Sequence, residues 1–341
     1  MNPLFSAFSI AVSLLASPVL SAQTPAASGP YLGQTLPGTT PVLFAPGIVS
    51  LAGRHEYACS FAPDGKAILF TAQEPGKRSM LMMCAMSGEA WASPREIRLG
   101  ESTLGEMEGF FAPDGKTIHF VAYEETGCAI WKSAKQGAAW GKAQKLSSAI
   151  NTGIVFYPSL TSEGTLYYTD VNKRMTLKSV PANGEYLSAE HAGLEFGGHA
   201  FVSRDERTIV LDAKGDLYAS FRLSSGMWSK PRKLGPAINT PEYRETCPSL
   251  SPDGRFLFFS RYCEKGEIAN LYWVSSAEID SLRSQVGGEG DLANPGPSRI
   301  VPIRAPGKPG LAVPGHSRKH PDRPLDSTTN PDQKASRTKD V

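Results

Sequence analysis

Ser60-Phe61-Ala62-Pro63-Asp64-Gly65-Lys66 is followed at once by Ala67-Ile68-Leu69-Phe70. Pro presets φ, Asp bonds back to the backbone and Gly accepts a positive φ, so Pro-Asp-Gly is turn chemistry. An apolar run directly behind such a turn reads as a strand. The pattern returns as Phe110-Phe111-Ala112-Pro113-Asp114-Gly115-Lys116 and as Ser249-Leu250-Ser251-Pro252-Asp253-Gly254-Arg255. Two degenerate copies lie between, Ser159-Leu160-Thr161-Ser162-Glu163-Gly164-Thr165 and Phe201-Val202-Ser203-Arg204-Asp205-Glu206-Arg207. The fifth motif residue falls at 64, 114, 163, 205 and 253, in steps of 50, 49, 42 and 48.

Each copy has the same sequel. A third strand follows, as in Ala129-Ile130-Trp131-Lys132, Asp216-Leu217-Tyr218-Ala219 and Asn270-Leu271-Tyr272-Trp273. In three copies Trp91, Trp140 or Trp228 then opens a loosely apolar fourth strand, and packing between repeats accounts for these tryptophans. Four strands in about 45 residues is the period of a propeller blade. One such sheet has two apolar faces and buries both only by stacking in a ring. The expectation is an all-β protein, a β-propeller of four-stranded blades, with five blades as the count. A sixth blade assembled from residues 286–341 is the alternative. The fifth copy lacks a fourth strand of its own. Pro41 to Val49 resembles Gln144 to Ile150 and Arg232 to Ile238, so the N-terminal segment is expected to supply the last blade's outer strand, which removes exposed edges.

The repeated Ser/Ala-Pro-Asp-Gly-Lys/Arg turn with its apolar strand resembles the WD40-like PD40 repeat of TolB-type propellers, over about residues 42–283. That resemblance implies an exported bacterial protein and a propeller of this architecture. It does not imply one function, since the family includes interaction platforms and enzyme-associated propellers. TolB itself carries an α/β domain ahead of its propeller, and TolB-type rings usually have six blades. Here only roughly 20 residues separate the leader from the first strand, so a counterpart of that domain is not expected. The G-x-S-x-G elbow of the hydrolases that share such propellers does not occur. Nor does a P-loop, a G-x-G-x-x-G or an H-E-x-x-H.

Around the ring, residues 1–22 read as a signal peptide ending at Leu20-Ser21-Ala22, and 23–40 as a linker. Residues 41–285 form the propeller, and 286–341 a Pro-rich charged tail without aromatic residues, expected to be disordered. This places the protein in the periplasm or outside the cell, with no membrane span once the signal is cleaved. A net charge of +2 gives no field that points to nucleic acid. Of the five cysteines, Cys247 and Cys263 flank one hairpin and are the expected disulfide pair.

Eight residues before the turn acid stand Glu56, Glu106 and Glu245, with Val155 and Gly197 in the degenerate copies. Each innermost strand should start there, and a ring brings its blades' equivalent residues to one channel. The expected ligand-binding mouth therefore comprises Glu56, Glu106 and Glu245 with His55, Tyr57, Glu108, Tyr157, His199 and Arg244. No cofactor is called for, although three carboxylates would accept a divalent cation such as calcium. The alternative use of each Glu is to accept bonds from backbone amides between blades. The expected function is a non-catalytic platform in the cell envelope, binding a protein, peptide or glycan. The alternative is a small exported glycan-active hydrolase or lyase working through carboxylates at the mouth.

Overall fold

The structure is a computed structural model that describes residues 27–262, 268–288 and 292. It is a five-bladed propeller of antiparallel sheets. The innermost strands are His55–Phe61, Glu106–Phe111, Val155–Leu160, Gly198–Val202 and Arg244–Leu250, of blades 1 to 5. Each packs on the next, and the fifth packs on the first, which closes the ring. The three Pro-Asp-Gly turns and their two degenerate counterparts lead into the second strands, Ala67–Gln73, Thr117–Glu124, Leu166–Asp170, Thr208–Ala213 and Phe256–Tyr262. Asp64, Asp114, Asp205 and Asp253 each accept the backbone N–H two residues on, so these acids form the turns. The outer edges of the blades are short. In blades 1 and 2 the chain pairs with the third strand twice, through Ala90–Trp91 and Arg95–Ile97, and through Ala139–Trp140 and Gln144–Lys145.

Blade 5 closes as the sequence predicts. Val42–Leu43 pairs antiparallel with the third strand Asn270–Ser275, with Val42 opposite Trp273. The segment ahead of it takes part in the core. Tyr31 and Leu32 are buried with Phe44, Phe61, Phe258 and Trp273 between blades 5 and 1. The Tyr31 hydroxyl donates to Asp253 Oδ1 at 3.1 Å. The stretch expected as a linker is thus partly core, because the junction leaves an aromatic-lined gap that blade strands alone do not fill. Trp91 and Trp228 are also buried, as packing between repeats requires, and Trp140 is half-buried.

After the last strand the chain forms a helix, Ala277–Gly288, which the repeat pattern does not foretell. Glu278 and Asp280 stand in its first turn, where the helix dipole favours acids. Ile279 and Val286 pack into the core with Leu217 and Val274, so the ordered chain runs beyond residue 285. The segment expected as a signal peptide, nearly all of the expected tail, and Cys263 lie outside the described residues.

Candidate functional site

Every innermost strand carries the same irregularity. The ladder to the second strand shifts register between Tyr57 and Ser60, Met107 and Phe110, Phe156 and Ser159, Gly198 and Phe201, and Thr246 and Ser249. Each shift holds one residue with a positive φ: Ala58, Glu108, Tyr157, His199 and Cys247. A bulge kinks a strand and re-aims a side chain. The left-handed conformation costs a non-glycine residue about 1–2 kcal/mol. None of the five is glycine, so the ring carries five side chains at equivalent positions on its inner wall.

Three of these five gather. Glu108, His199 and Cys247 each present a donor atom, and the three atoms lie within 4.8 Å of one another. Glu108 and Cys247 are buried and His199 is half-buried. His199 Nε2 is 3.8 Å from Glu108 Oε1, and Nδ1 is 2.7 Å from Asp212 Oδ2. Phe156 and Tyr157 pack on the imidazole, with ring centroids at 4.7 and 5.1 Å. Asp212, near the end of the second strand of blade 4, also accepts the Cys247 N–H at 3.3 Å and the Thr246 hydroxyl. Glu108 accepts the Tyr157 N–H at 2.7 Å through Oε2. The Tyr157 hydroxyl donates to the Pro248 carbonyl at 2.7 Å, linking blade 3 to blade 5. Beside this group, a cavity of about 10 Å³ is lined by Ala58, Glu108, Tyr157 and Phe201 among others. That is room for about one water-sized particle.

Burial disfavours the His199 imidazolium, but Asp212 and Cys247 outweigh it and hold the ring protonated well above its usual range. Burial works against Asp212 ionisation too, yet His199 and the Thr246 hydroxyl keep its carboxyl below the ordinary value. Burial pushes Glu108 and the Cys247 thiol up, opposed in each case by His199.

The expected site divides in two. Glu108, Tyr157 and His199 meet at the channel. Glu56, Glu106 and Glu245 do not open to a mouth: all three are buried. Glu106 accepts the N–H groups of Leu99 and Gly100 at 3.0 and 2.8 Å. Glu56 accepts from Leu51 N and Arg54 Nε, and Glu245 from the Thr240 hydroxyl and Arg261 Nε. Each ties the loop from the preceding blade to the start of its own strand, which is why the residue recurs with the repeat. Burial raises the carboxyl of Glu56 to about 7, despite Arg54, and raises that of Glu245. His55 Nδ1 accepts the Ala269 N–H at 3.1 Å. The half-buried Tyr57 directs its hydroxyl to Met107 Sδ at 3.8 Å. Arg244 packs its methylenes on Gly215, where a Cβ would lie 2.9 Å from Cγ.

Cys247, Thr246 and Asp212 were not among the expected site residues. Cys247 carries a free thiol, and the ladder around it pairs Thr246 with Ser260 and Arg244 with Tyr262. Its expected partner, Cys263, lies outside the described residues, and the bulge places Cys247 beside Glu108 and His199. Its signal was in the spacing: six residues before the fifth motif residue, not eight, reads Ala58, Glu108, Tyr157, His199 and Cys247.

The same face carries much of the exposed apolar surface. Leu104, Ile154, Phe196 and Tyr243 sit in the loops that enter innermost strands. Tyr123 and Val171 lie at the ends of second strands, on the same side of the ring. These are six of the eleven exposed large apolar residues among those described. A cleft of about 360 Å³ opens there between blades 2 and 3, lined by Glu124, Thr126, Lys145, Thr152, Ile154 and Asn172 among others. No helix among the described residues is long and apolar enough to cross a membrane.

No family model matches the sequence, and no curated protein matches it. Among solved structures the chain is similar to a TolB-type protein from Agrobacterium tumefaciens, at 17% identity and TM-score 0.44, over 66% of this chain and 77% of that one. It is also similar to TolB from Acinetobacter baumannii, at 16% identity and TM-score 0.42, over 64% of this chain and 54% of that one. A gluconolactonase from Xanthomonas campestris matches at 9% identity and TM-score 0.42, over 72% of this chain and 97% of that one. These neighbours are named for different roles, and at these values none of the roles transfers to this chain.

Proposed function

We propose that the chain is an exported, non-catalytic propeller of the cell envelope that holds a protein or peptide partner on the face around its channel mouth. The observation that supports this most is the grouping of Leu104, Tyr123, Ile154, Val171, Phe196 and Tyr243 on that one face. Exposed apolar surface rimmed by polar residues is typical of an interaction site. The cleft beside Ile154, with Glu124 and Lys145 on its wall, adds a polar recess next to the apolar residues. A glycan hydrolase would need a pair of open carboxylates. Glu56, Glu106 and Glu245 are buried on loop amides, hydroxyls and arginines, which favours the binding reading.

Photo-crosslinking in the cell tests it. A benzoyl-phenylalanine at 123 or 154 is expected to give one discrete crosslinked partner, and one at 180 or 227, on other surfaces, none. Ile154→Asp is expected to abolish the adduct formed from 123 while the protein stays folded. Equal crosslinking from all four positions, or an adduct indifferent to Ile154→Asp, would count against this function.

A further inference from the structure

We propose that Glu108, His199 and Cys247 form a binding site for one zinc ion on the channel axis. The three donors come from blades 2, 4 and 5, and they occupy equivalent bulge positions in their strands. Sequence separates Glu108 from Cys247 widely, yet ring closure brings their donor atoms and that of His199 within 4.8 Å. Zinc takes sulfur at about 2.3 Å and nitrogen or oxygen at about 2.0–2.2 Å, so tetrahedral donors sit about 3.3–3.8 Å apart. For an oxygen and a nitrogen the separation is about 3.3–3.6 Å, which the Glu108 Oε1 to His199 Nε2 distance of 3.8 Å reaches with a small side-chain movement.

The surroundings fit a ligand set. His199 has its Nδ1 on Asp212, which leaves Nε2, the nitrogen that faces Glu108, as the ligating atom. A metal-bound histidine commonly has this second partner, which fixes its tautomer and orientation. Asp212 also holds the backbone N–H of Cys247, so one carboxylate positions two of the three ligands. Glu108 is tied through Oε2 to Tyr157 N and keeps Oε1 for the ion. In blade 1 the equivalent residue is Ala58, whose short side chain lines the small cavity beside Glu108. A His, Cys and Glu set selects zinc over calcium, which prefers an all-oxygen shell. On binding, Cys247 enters as thiolate and His199 as neutral imidazole, and their protons leave to solvent.

The bulge places the ligands but does not select them, because Ala58 and Tyr157 hold the same left-handed conformation in their blades.

The test uses the full chain with zinc or cobalt(II) as the only added probe. The purified protein is expected to bind one equivalent of zinc, and cobalt to give a thiolate charge-transfer band in the near ultraviolet. Cys247→Ser is expected to abolish the band, and Cys128→Ser, at a buried cysteine outside the cluster, to leave it. Asp212→Asn is expected to weaken zinc binding by about 10–100-fold, as for loss of an orienting partner. Should Cys247→Ser fail to fold, wild-type protein answers alone: zinc is expected to slow alkylation of Cys247 at least about tenfold, read by peptide mass spectrometry, in line with loss of a free thiolate. Folded wild-type protein that binds no stoichiometric metal, a cobalt band that survives Cys247→Ser, or alkylation indifferent to zinc would each overturn the proposal.

Discussion

Glu56 shows how a repeated acid becomes structural. One of its oxygens accepts from Leu51 and Arg54, while the other is buried without a partner. Its carboxyl is raised from 4.5 to about 7, chiefly by burial. A raised carboxyl binds its proton more tightly in the folded state, so its contribution is full below pH 4.5 and is lost as pH rises through 7. Glu56→Gln removes that titration. The melting temperature of the variant is therefore expected to gain on wild type between pH 4.5 and 7.5, measured by calorimetry at several pH values. A gap between the two proteins that is constant with pH would contradict this account of Glu56.

At the scale of elements, the strands and turns were legible because each follows a local rule. Pro-Asp-Gly needs no tertiary context to turn, and the continuous apolar runs behind it need little. The bulge was not legible, since Ala58, Glu108, Tyr157, His199 and Cys247 share no residue type. Only the spacing common to all five copies marks it, and its conformation depends on packing around the ring. Paired asparagines are another device of this scale. Asn151 accepts the Ile130 N–H and donates to the carbonyls of Ile130 and Leu146. Asn239 makes the same three bonds to Leu217 N, Leu217 O and Leu234 O. Each ties a third strand to the turn after the outer strand. Removing a buried partner costs about 1–3 kcal/mol per orphaned group. Asn239→Ala is accordingly expected to lose at least about 2 kcal/mol in urea unfolding, since it takes the partner from the Leu217 N–H and the Leu234 carbonyl, while the Leu217 carbonyl keeps the Leu234 N–H. A loss below about 0.5 kcal/mol would mean that water replaces the clamp.

At the scale of the molecule, ring closure depends on residues far apart in sequence. Val42–Leu43 completes blade 5, and Tyr31 and Leu32 fill the junction between blades 5 and 1. The strand was legible from its likeness to other outer strands. The aromatic plug was not, because Tyr31 sits in a Gly/Pro-rich stretch that matches no blade. Tyr31→Ala is expected to cost about 3–5 kcal/mol, as for other buried aromatic residues. A near-neutral effect in urea unfolding would show that the junction closes without it. Ring closure also explains the mixed outcome for the expected site. It brings equivalent positions together whatever residue each blade carries, so Glu108 and His199 meet Cys247 at the axis. Glu56, Glu106 and Glu245 are placed two residues earlier, where loop amides, hydroxyls and arginines take them up.

The central claim is that three of the five equivalent bulges, those of Glu108, His199 and Cys247, build a metal-binding site at the channel. It is tested most directly by a crystal of the protein grown with zinc and measured across the zinc absorption edge. The account predicts a single strong anomalous peak bonded to Cys247 Sγ, His199 Nε2 and a Glu108 oxygen, with Asp212 still on Nδ1. An axis without a peak, with the Cys247 thiol unligated and zinc bound only at the surface, would contradict it.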